Sequence, residues 1–296
     1  MKITYKIHEL TDYINWIYFF HAWGFQPRFA NIADIHGCDT CRALWLKNFP
    51  EEERAKAAEA MQLFKEAERM LWKIDEEYRV YGAFRLCKAN SDGDNLLLDE
   101  QVLPLLRQQT VKHTEDHCLC LSDFVRPLES GITDTVGVFA TTVDLEIEQL
   151  YENDTYYRML VHILAERLAE AAAERMHEQI RKEYWGYAKD EKLTIKQLLN
   201  EEYQGIRPAV GYPSLPDQSV NFLLDKLLDF KQIGIELTEN GAMNPKASVC
   251  GLMFAHPRSQ YFSVGKIGED QLNDYATRRG KSVKELRKFL TANLTD

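Results

Sequence analysis

Residues 206–218 read IRPAVGYPSLPDQ, and the interpretation of the whole chain depends on this stretch. Its three prolines exclude a helix and a central strand, because proline lacks the backbone N–H group that both require. Arg207 and Tyr212 each precede a proline, which biases both toward extended backbone. We therefore expect a stiff strip with available carbonyl groups, in which Gly211 lets the backbone approach a neighbour closely.

Arg207 and Tyr212 give this strip two different chemical functions. Arginine carries a planar fork of N–H donors that suits a carboxylate, and a tyrosine ring attracts a cation such as a sulfonium. From these residues alone two interpretations remain open. The strip is either a proline-rich connector whose Arg207 pairs with a structural glutamate, or a loop that holds a ligand.

The composition indicates a globular protein and argues against two classes of partner. The chain has 296 residues, 45% hydrophobic and 28% charged, with a net charge of −10. Nucleic-acid-binding proteins usually carry a basic face, so we expect no nucleic-acid partner. The longest apolar run, Trp16 to Phe20, is far shorter than the ~20 residues that cross a membrane. The N-terminus MKITYKIHEL lacks an apolar signal segment, so we expect a cytoplasmic protein.

The hydrophobic pattern predicts helices mixed with antiparallel hairpins. Helices are predicted over 51–78, 148–184 and 220–232, with further helices opened by capping boxes at Thr194 and Ser282. A strand is predicted over 136–143, with one hairpin over 83–98 that turns at Asp92-Gly93, and a second that joins 247–255 to 260–267. Because strands and helices do not alternate, the predicted class is α+β. The length of 296 residues fits one large domain or two small ones.

The cysteines give only a weak indication of a metal site. Cys38 and Cys41 have CxxC spacing, and a second group follows at His113, His117, Cys118 and Cys120. A zinc site usually takes about four ligands from two regularly spaced pairs, and the second group is irregular. We therefore expect free thiols and no bound metal. The sequence also lacks a Walker A loop, a GxSxG elbow and a GxGxxG loop.

The wider sequence resembles one known family. Residues 200–217, NEEYQGIRPAVGYPSLPD, closely resemble the S-adenosylmethionine-binding stretch of the activation domain of cobalamin-dependent methionine synthase. Similar stretches are RLAEAAAERMHEQIRKEYWGY before it, LTENGAMNPKASVCGLMFAHPRSQYFSVGKIGEDQLNDYATRRG after it, YINWIYFF at 13–20, and LRQQT and LSDFVRP within 106–127. The resemblance extends over residues 9–294 and is loose over 25–50. It implies a single α+β domain over residues 1–296, curved like a C, with a twisted antiparallel sheet and flanking helices.

The resemblance also implies a site for S-adenosylmethionine. Arg207 would hold the methionyl carboxylate, Ala209 would supply backbone contacts, and Tyr212 would lie near the sulfonium. Two aromatic residues would flank the ligand, and two glutamates match acidic positions beside it. The implied binding residues are Asn15, Glu170, Glu201, Arg207, Ala209, Gly211, Tyr212, Tyr261 and Phe262.

Two departures from the family bear on this site. Where the family has an aspartate whose carboxylate contacts the ligand, this chain has Asn15, which can still form a hydrogen bond but carries no charge. A charge-assisted hydrogen bond is about twice as strong as a neutral one, so either affinity for a cationic donor would fall or the ligand would differ. The family's YYF segment is Leu252-Met253-Phe254 in this chain.

The resemblance implies a role in reactivation. In the family this domain presents S-adenosylmethionine to an oxidised cobalamin, a flavodoxin-type protein supplies an electron, and the reduced cobalt takes the methyl group. The protein's contribution is positioning, so no catalytic side chain is expected. Nothing in the chain resembles the homocysteine, folate or cobalamin modules, so cobalamin would be carried by a separate methionine synthase or another corrinoid protein. The alternative is a non-catalytic binding or scaffold module with a weakened donor site.

Overall fold

The computed structural model describes residues 1–111 and 117–295. Its strands are β1 (Lys2–Lys6), β2 (Arg79–Asp92), β3 (Asn95–Leu98), β4 (Gln101–Pro104), β5 (Asp134–Val143), β6 (Glu236–Leu237), β7 (Met243–Asn244) and β8 (Ser248–Met253). Six of them form one antiparallel sheet in the order β4-β3-β2-β5-β8, and β1 pairs with the same edge of β2 as β3 does. β6 and β7 pair separately.

The helices flank this sheet. They are α1 (Trp16–Ala22), α2 (Asp39–Lys47), α3 (Arg54–Asp75), α4 (Thr155–Gln179), α5 (Ile195–Leu199), α6 (Asn221–Leu228), α7 (Glu269–Arg279) and α8 (Val283–Leu290). A π-helical turn, Ile180–Tyr184, continues α4. Across residues 1–111 and 117–295, no helix is long and apolar enough to cross a bilayer.

The two faces of the sheet bury separate hydrophobic clusters. Side chains alternate along a strand, so neighbours on β5 point to opposite faces. Phe139 packs with the apolar stripes of α3 and α4, whereas Val138 and Ala140 pack with residues of α6, α7 and α8. Helix α4 also bonds directly to the sheet, since Thr141 Oγ1 donates to the carbonyl of Ala169 at 2.9 Å. The predicted α+β class with an antiparallel sheet is confirmed.

The local sequence patterns predicted most of the helices and strands, but some observed helix ends differ from the predicted ones. Helix α3 and the β2–β3 hairpin match the predictions for 51–78 and 83–98. The helix predicted from 148 begins only at Thr155. Residues 145–149 form a 3₁₀ turn, and the Asp154 carboxylate caps α4 by accepting from the N–H groups of Tyr156 and Tyr157.

One further helix differs from its prediction, whereas two predicted helix caps are present. The helix predicted over 220–232 ends at Leu228, because Asp229 is left-handed at φ 53° and a 3₁₀ turn follows. The Thr194 capping box is confirmed. Ser282 also caps its helix, accepting from the N–H of Glu285 at 3.2 Å.

The predicted second hairpin is wrong. Strand β8 forms as expected, but residues 260–267, all of them described, form no strand, and only Ile267 makes an isolated bridge, to Leu294. The free edge of β8 is occupied by the proline-rich stretch instead. The N–H of Ile206 donates to the carbonyl of Phe254 at 3.0 Å, and the N–H of Phe254 donates back at 2.9 Å. Residues 260–267 contact the proline-rich stretch, where the N–H of Val264 donates to the carbonyl of Pro213.

The proline-rich stretch therefore acts as an edge strand up to its turn. The N–H of Leu252 donates to the carbonyl of Pro208 at 3.0 Å, and the N–H of Val210 donates to that of Cys250 at 2.9 Å. The expectation of available carbonyls is wrong at these positions, because β8 uses them. An edge position suits Pro208, whose missing N–H costs no ladder bond there.

Glycines on or opposite β8 make this close pairing possible. A Cβ at Gly251 would lie 2.2 Å from the Pro208 oxygen and 2.8 Å from the Ala209 Cα. A Cβ at Gly205, where φ is +94°, would lie 2.2 Å from the oxygen of Phe254. Gly211 has a different role from the one expected. No heavy atom of the described residues would lie within 4 Å of a Cβ atom at Gly211. A glycine is needed there because the backbone φ is +88°, a conformation that other residues rarely adopt.

We predict that Gly251→Ala lowers the free energy of unfolding by about 1–3 kcal/mol, the usual cost of overpacking. The new methyl group would push the 206–210 backbone away from β8. Urea denaturation measures the change. Gly37→Ala is the matched control, since its Cβ would meet only Arg42 Nη2 at an ordinary 3.5 Å. Equal stability of the two variants would contradict the prediction.

Candidate functional site

A cavity of about 730 Å³ lies between α1, α4 and the proline-rich stretch. This volume is within the range of small-molecule sites. Of the nine residues expected to bind a ligand, the structure places eight on its walls: Asn15, Glu170, Glu201, Arg207, Ala209, Tyr212, Tyr261 and Phe262. Gly211 is not on the wall; it forms the turn between Ala209 and Tyr212. Ligand binding by these residues stays a prediction.

Arg207 is fixed at the base of the cavity. Its Nη2 donates to Glu174 Oε2 at 2.9 Å, and its Nη1 lies 3.4 Å from Nδ1 of His177. Its backbone N–H donates to the Tyr261 hydroxyl at 2.9 Å. A guanidinium has five N–H donors, so this arrangement holds the side chain while leaving donors for an anion. Arg207 therefore fits both interpretations of the stretch, since it pairs with a structural glutamate and also lines a cavity.

A buried polar layer supports Arg207 from behind. His177 is fully buried, and its ring meets the Tyr203 ring edge-on at 4.9 Å. The Arg181 guanidinium also lies over the Tyr203 ring, 4.1 Å from its centre, and forms a two-bond pair with Glu191. Burial, then the charges of Arg181 and Arg207, hold the pKa of His177 well below its usual 6.5. The ring is therefore neutral and able to accept at Nδ1.

The charge of the cavity wall is predominantly negative. Four glutamates line it, Glu166, Glu170, Glu174 and Glu201, against the two arginines Arg167 and Arg207. Burial raises the pKa of Glu201, with Arg207 opposing and Glu174 adding to the shift. Glu201 also has a left-handed backbone at φ 59°, which is uncommon for a non-glycine residue and is often found at functional sites. Such a wall favours a cationic ligand that also carries one anionic group.

Aromatic side chains complete the wall near the opening. Tyr212 is half-exposed, and its hydroxyl donates to Glu170 Oε1 at 2.8 Å. Burial and the Glu170 charge raise the pKa of Tyr212, so this phenol stays protonated. Tyr261 is 38% exposed, whereas Phe262 is buried against Phe124. These rings offer faces to an adenine or a sulfonium.

Asn15 has a structural role as well as a place on the wall. It is the N-cap of α1, and its Oδ1 accepts from the N–H of Ile17 at 3.1 Å. Asparagine and aspartate are about equally good N-caps. The cap therefore does not explain the choice of asparagine over aspartate.

Sequence reasoning missed Glu174, the partner that orients Arg207. Its Oε2 is paired, but its Oε1 is buried and has no hydrogen-bond partner among residues 1–111 and 117–295. A signal was present, since Glu174 lies four residues after Glu170 and thus on the same helix face. Tyr13, Tyr18, Glu166 and Arg167 also line the cavity and were not expected there.

The fold and cavity together define an α+β protein with a cavity of small-molecule size beside the edge of an antiparallel sheet. A family profile described as "Vitamin B12 dependent methionine synthase, activation domain" matches residues 6–280. A solved structure, the MetH reactivation domain bound to AdoHcy, is 38% identical with a TM-score of 0.88, and the match covers 100% of this chain and 90% of that one. This chain belongs to the activation-domain family of vitamin B12-dependent methionine synthase.

We predict that His177 makes stability depend on pH between 7 and 5. The unfolded chain takes up a proton near pH 6.5, while the buried ring does not, so unfolding becomes more favourable as the pH falls. For one such group the free energy of unfolding drops by about 2 kcal/mol over this range. His177→Gln removes this contribution, whereas His162→Gln, at an exposed position of the same helix, keeps it. Urea titrations at both pH values would contradict the prediction if His177→Gln and the wild type lost equal stability.

Proposed function

We propose that this protein binds S-adenosylmethionine in the cavity and presents it for the reductive methylation of a cobalamin carried by another protein. The observation that carries the proposal is the fixed Arg207 at the base of an acidic, aromatic cavity. Membership of the activation-domain family supports it. So does the AdoHcy bound to the MetH reactivation domain, since AdoHcy is the demethylated form of this donor.

The donor and the cavity are chemically complementary. S-adenosylmethionine carries a sulfonium, an ammonium and a carboxylate, so its net charge is positive. The glutamates would attract the two cations, and Arg207 would receive the carboxylate with its remaining donors. Tyr212 would place its ring near the sulfonium, and Tyr261 and Phe262 would flank the ligand. Backbone around Ala209 is rigid because β8 holds it, which reduces the ordering cost of binding.

The contribution of this chain to the reaction would be positioning and charge. Arg207 and the aromatic wall would fix the methionyl and adenosyl ends, leaving the methyl group as the reacting part. The corrinoid supplies the nucleophile once an electron from a flavodoxin-type donor has reduced its cobalt, and the methyl–sulfur bond then breaks to leave S-adenosylhomocysteine. No side chain of the cavity has to remove a proton, so the Glu174–Arg207 pair serves orientation.

The partner would be the cobalamin-binding part of a methionine synthase or another corrinoid protein, in the cytoplasm. The competing function is a binding or scaffold module in which the donor site has been weakened. Asn15 is the feature that favours this alternative, because it removes one negative charge from the wall. Affinity for S-adenosylmethionine distinguishes the two functions.

We predict that isothermal titration detects S-adenosylmethionine binding and that Arg207→Ala weakens it by about 1.5–3 kcal/mol, the value of a hydrogen bond to a charged group. Because Arg207→Ala also leaves the buried Glu174 carboxylate without its ion-pair partner, Arg207→Lys is the second variant. It keeps the charge opposite Glu174 but loses the planar fork, and we expect weakened binding with the fold intact. Arg158→Ala, at an exposed position of α4 outside the cavity, is the control.

Two outcomes would contradict the proposal, one the function itself and the other the role of Arg207. Folded wild-type protein that gives no heat up to millimolar ligand would leave the scaffold alternative. Unchanged affinity in both Arg207 variants would reject the assigned role of that residue. If binding is found, a methylation assay with a cobalamin-binding partner and a reduced flavodoxin tests the reaction itself, and formation of methylcobalamin is the expected result.

We predict that Asn15→Asp tightens S-adenosylmethionine binding by about 1 kcal/mol, the difference between a neutral and a charged hydrogen bond. The substitution keeps the N-cap of α1, so stability should change little. The gain should shrink at high salt, as expected for an interaction between charges. Asp12→Asn, in the neighbouring 3₁₀ turn and outside the cavity, controls for a change in net charge. Equal or weaker binding by Asn15→Asp would refute the role given to this position.

A further inference from the structure

A second cluster of chemically active side chains lies outside the cavity. His36, Cys38 and Cys41 each direct one ligand atom, imidazole nitrogen or thiol sulfur, to within 4.8 Å of the others. Among the described residues this is the only group of three such side chains. Of the second group expected from sequence, His113 lies outside the described residues, and His117, Cys118 and Cys120 do not join the cluster. The sequence pattern is therefore HxCxxC.

Helix α2 holds two of the three ligand atoms in position. Cys38 is its N-cap, and the Cys38 sulfur accepts from the N–H of Cys41 at 3.4 Å. Cys41 lies in the first turn, which brings its sulfur back toward Cys38. The helix itself is anchored by the buried Trp45, whose indole N–H donates to Asn31 Oδ1 at 2.8 Å. The chain before Cys38 then returns His36 to the same place.

The environment of Cys38 and Cys41 differs from that of the buried cysteines. Cys87, Cys120 and Cys250 are buried in the hydrophobic cluster that the sheet forms with α6, α7 and α8. Cys38 and Cys41 are only half-buried, and His36 is exposed, so all three are accessible to an ion from solvent. They belong to residues 25–50, where the resemblance to methionine synthase is loose. The cluster is therefore no part of the S-adenosylmethionine cavity, whose walls it does not reach.

We propose that His36, Cys38 and Cys41 bind a single zinc ion, with a fourth position open to water. Two sulfurs and one imidazole form a donor set that suits Zn²⁺ better than Mg²⁺ or Ca²⁺, which prefer oxygen. Zinc ligands lie about 2.0–2.3 Å from the metal, so two of them stand within about 4.6 Å of each other. Only small side-chain rotations are needed to bring the three atoms around one ion. This site revises the expectation that the chain binds no metal.

The imidazole is what distinguishes a metal site from a simple dithiol. A disulfide between Cys38 and Cys41 would need no third group, whereas an ion needs the nitrogen of His36 to complete its coordination. The bound ion would also join the segment before α2 to the first turn of that helix. Zinc binding should therefore stabilise this part of the fold by mass action.

The test uses full-length protein, stripped with a chelator, reduced, and kept free of oxygen. Titration with Co²⁺ should give a sulfur-to-cobalt charge-transfer band that saturates at one equivalent, and Zn²⁺ should abolish the band by displacement. Added Zn²⁺ should also raise the midpoint of thermal unfolding. Cys38→Ser, Cys41→Ser and His36→Asn should lose the band and the thermal shift. Cys118→Ser, which removes a half-buried cysteine outside the cluster, should keep both.

Several results would overturn the proposal. One is the absence of a charge-transfer band in wild-type protein with free thiols. Another is a band that persists in both cysteine variants, which would mean an adventitious ion only. A band that His36→Asn leaves unchanged in intensity and position would reject the three-ligand site. Circular dichroism of the metal-free variants should match that of metal-free wild type. These readouts do not depend on S-adenosylmethionine, so this site and the proposed function succeed or fail separately.

Discussion

The close pairing of residues 206–210 with the edge of β8 is the constraint on which the site depends. A sheet edge left open exposes N–H and C=O groups that need partners, and here a proline-rich stretch supplies them. The pairing requires a glycine at 251, since a methyl group there would collide with the backbone of Pro208. Because the edge strand is fixed, Gly211 can turn the chain sharply and set Tyr212 against Glu170. One wall of the cavity is therefore formed by the same pairing that covers the edge of β8.

The same pairing determines the electrostatics of the cavity. It brings Arg207 over α4, where Glu174 and the neutral ring of His177 hold its guanidinium. Burying an ion pair is costly in desolvation, and the pair adds little net stability. Its value lies in orientation, because a cation already held by Glu174 loses little freedom when an anion binds. A neutral His177 is essential to this arrangement, since a charged ring would repel Arg207.

Sequence patterns predicted local structure well and long-range pairing poorly. Helix α3 and the β2–β3 hairpin follow from periodicity and turn residues, which are properties of neighbouring positions. The failed hairpin at 260–267 has a strand-like composition, but composition does not state which segment takes the edge of β8. The role of Glu174 was missed for a similar reason, because its partner is 33 residues away. The candidate site came from the resemblance to a family, because the local chemistry of residues 206–218 left both interpretations open and favoured the connector over the ligand loop.

Asn15 is best understood as a consequence of a crowded acidic wall. As an N-cap, aspartate would serve α1 as well as asparagine does, so the helix does not select the uncharged residue. The cavity already holds four glutamates against two arginines, and a fifth carboxylate would add repulsion whenever no cation is bound. Asparagine lowers that repulsion in the free protein and gives up attraction in the bound one. The position therefore gives up affinity for a cation in exchange for stability of the empty site.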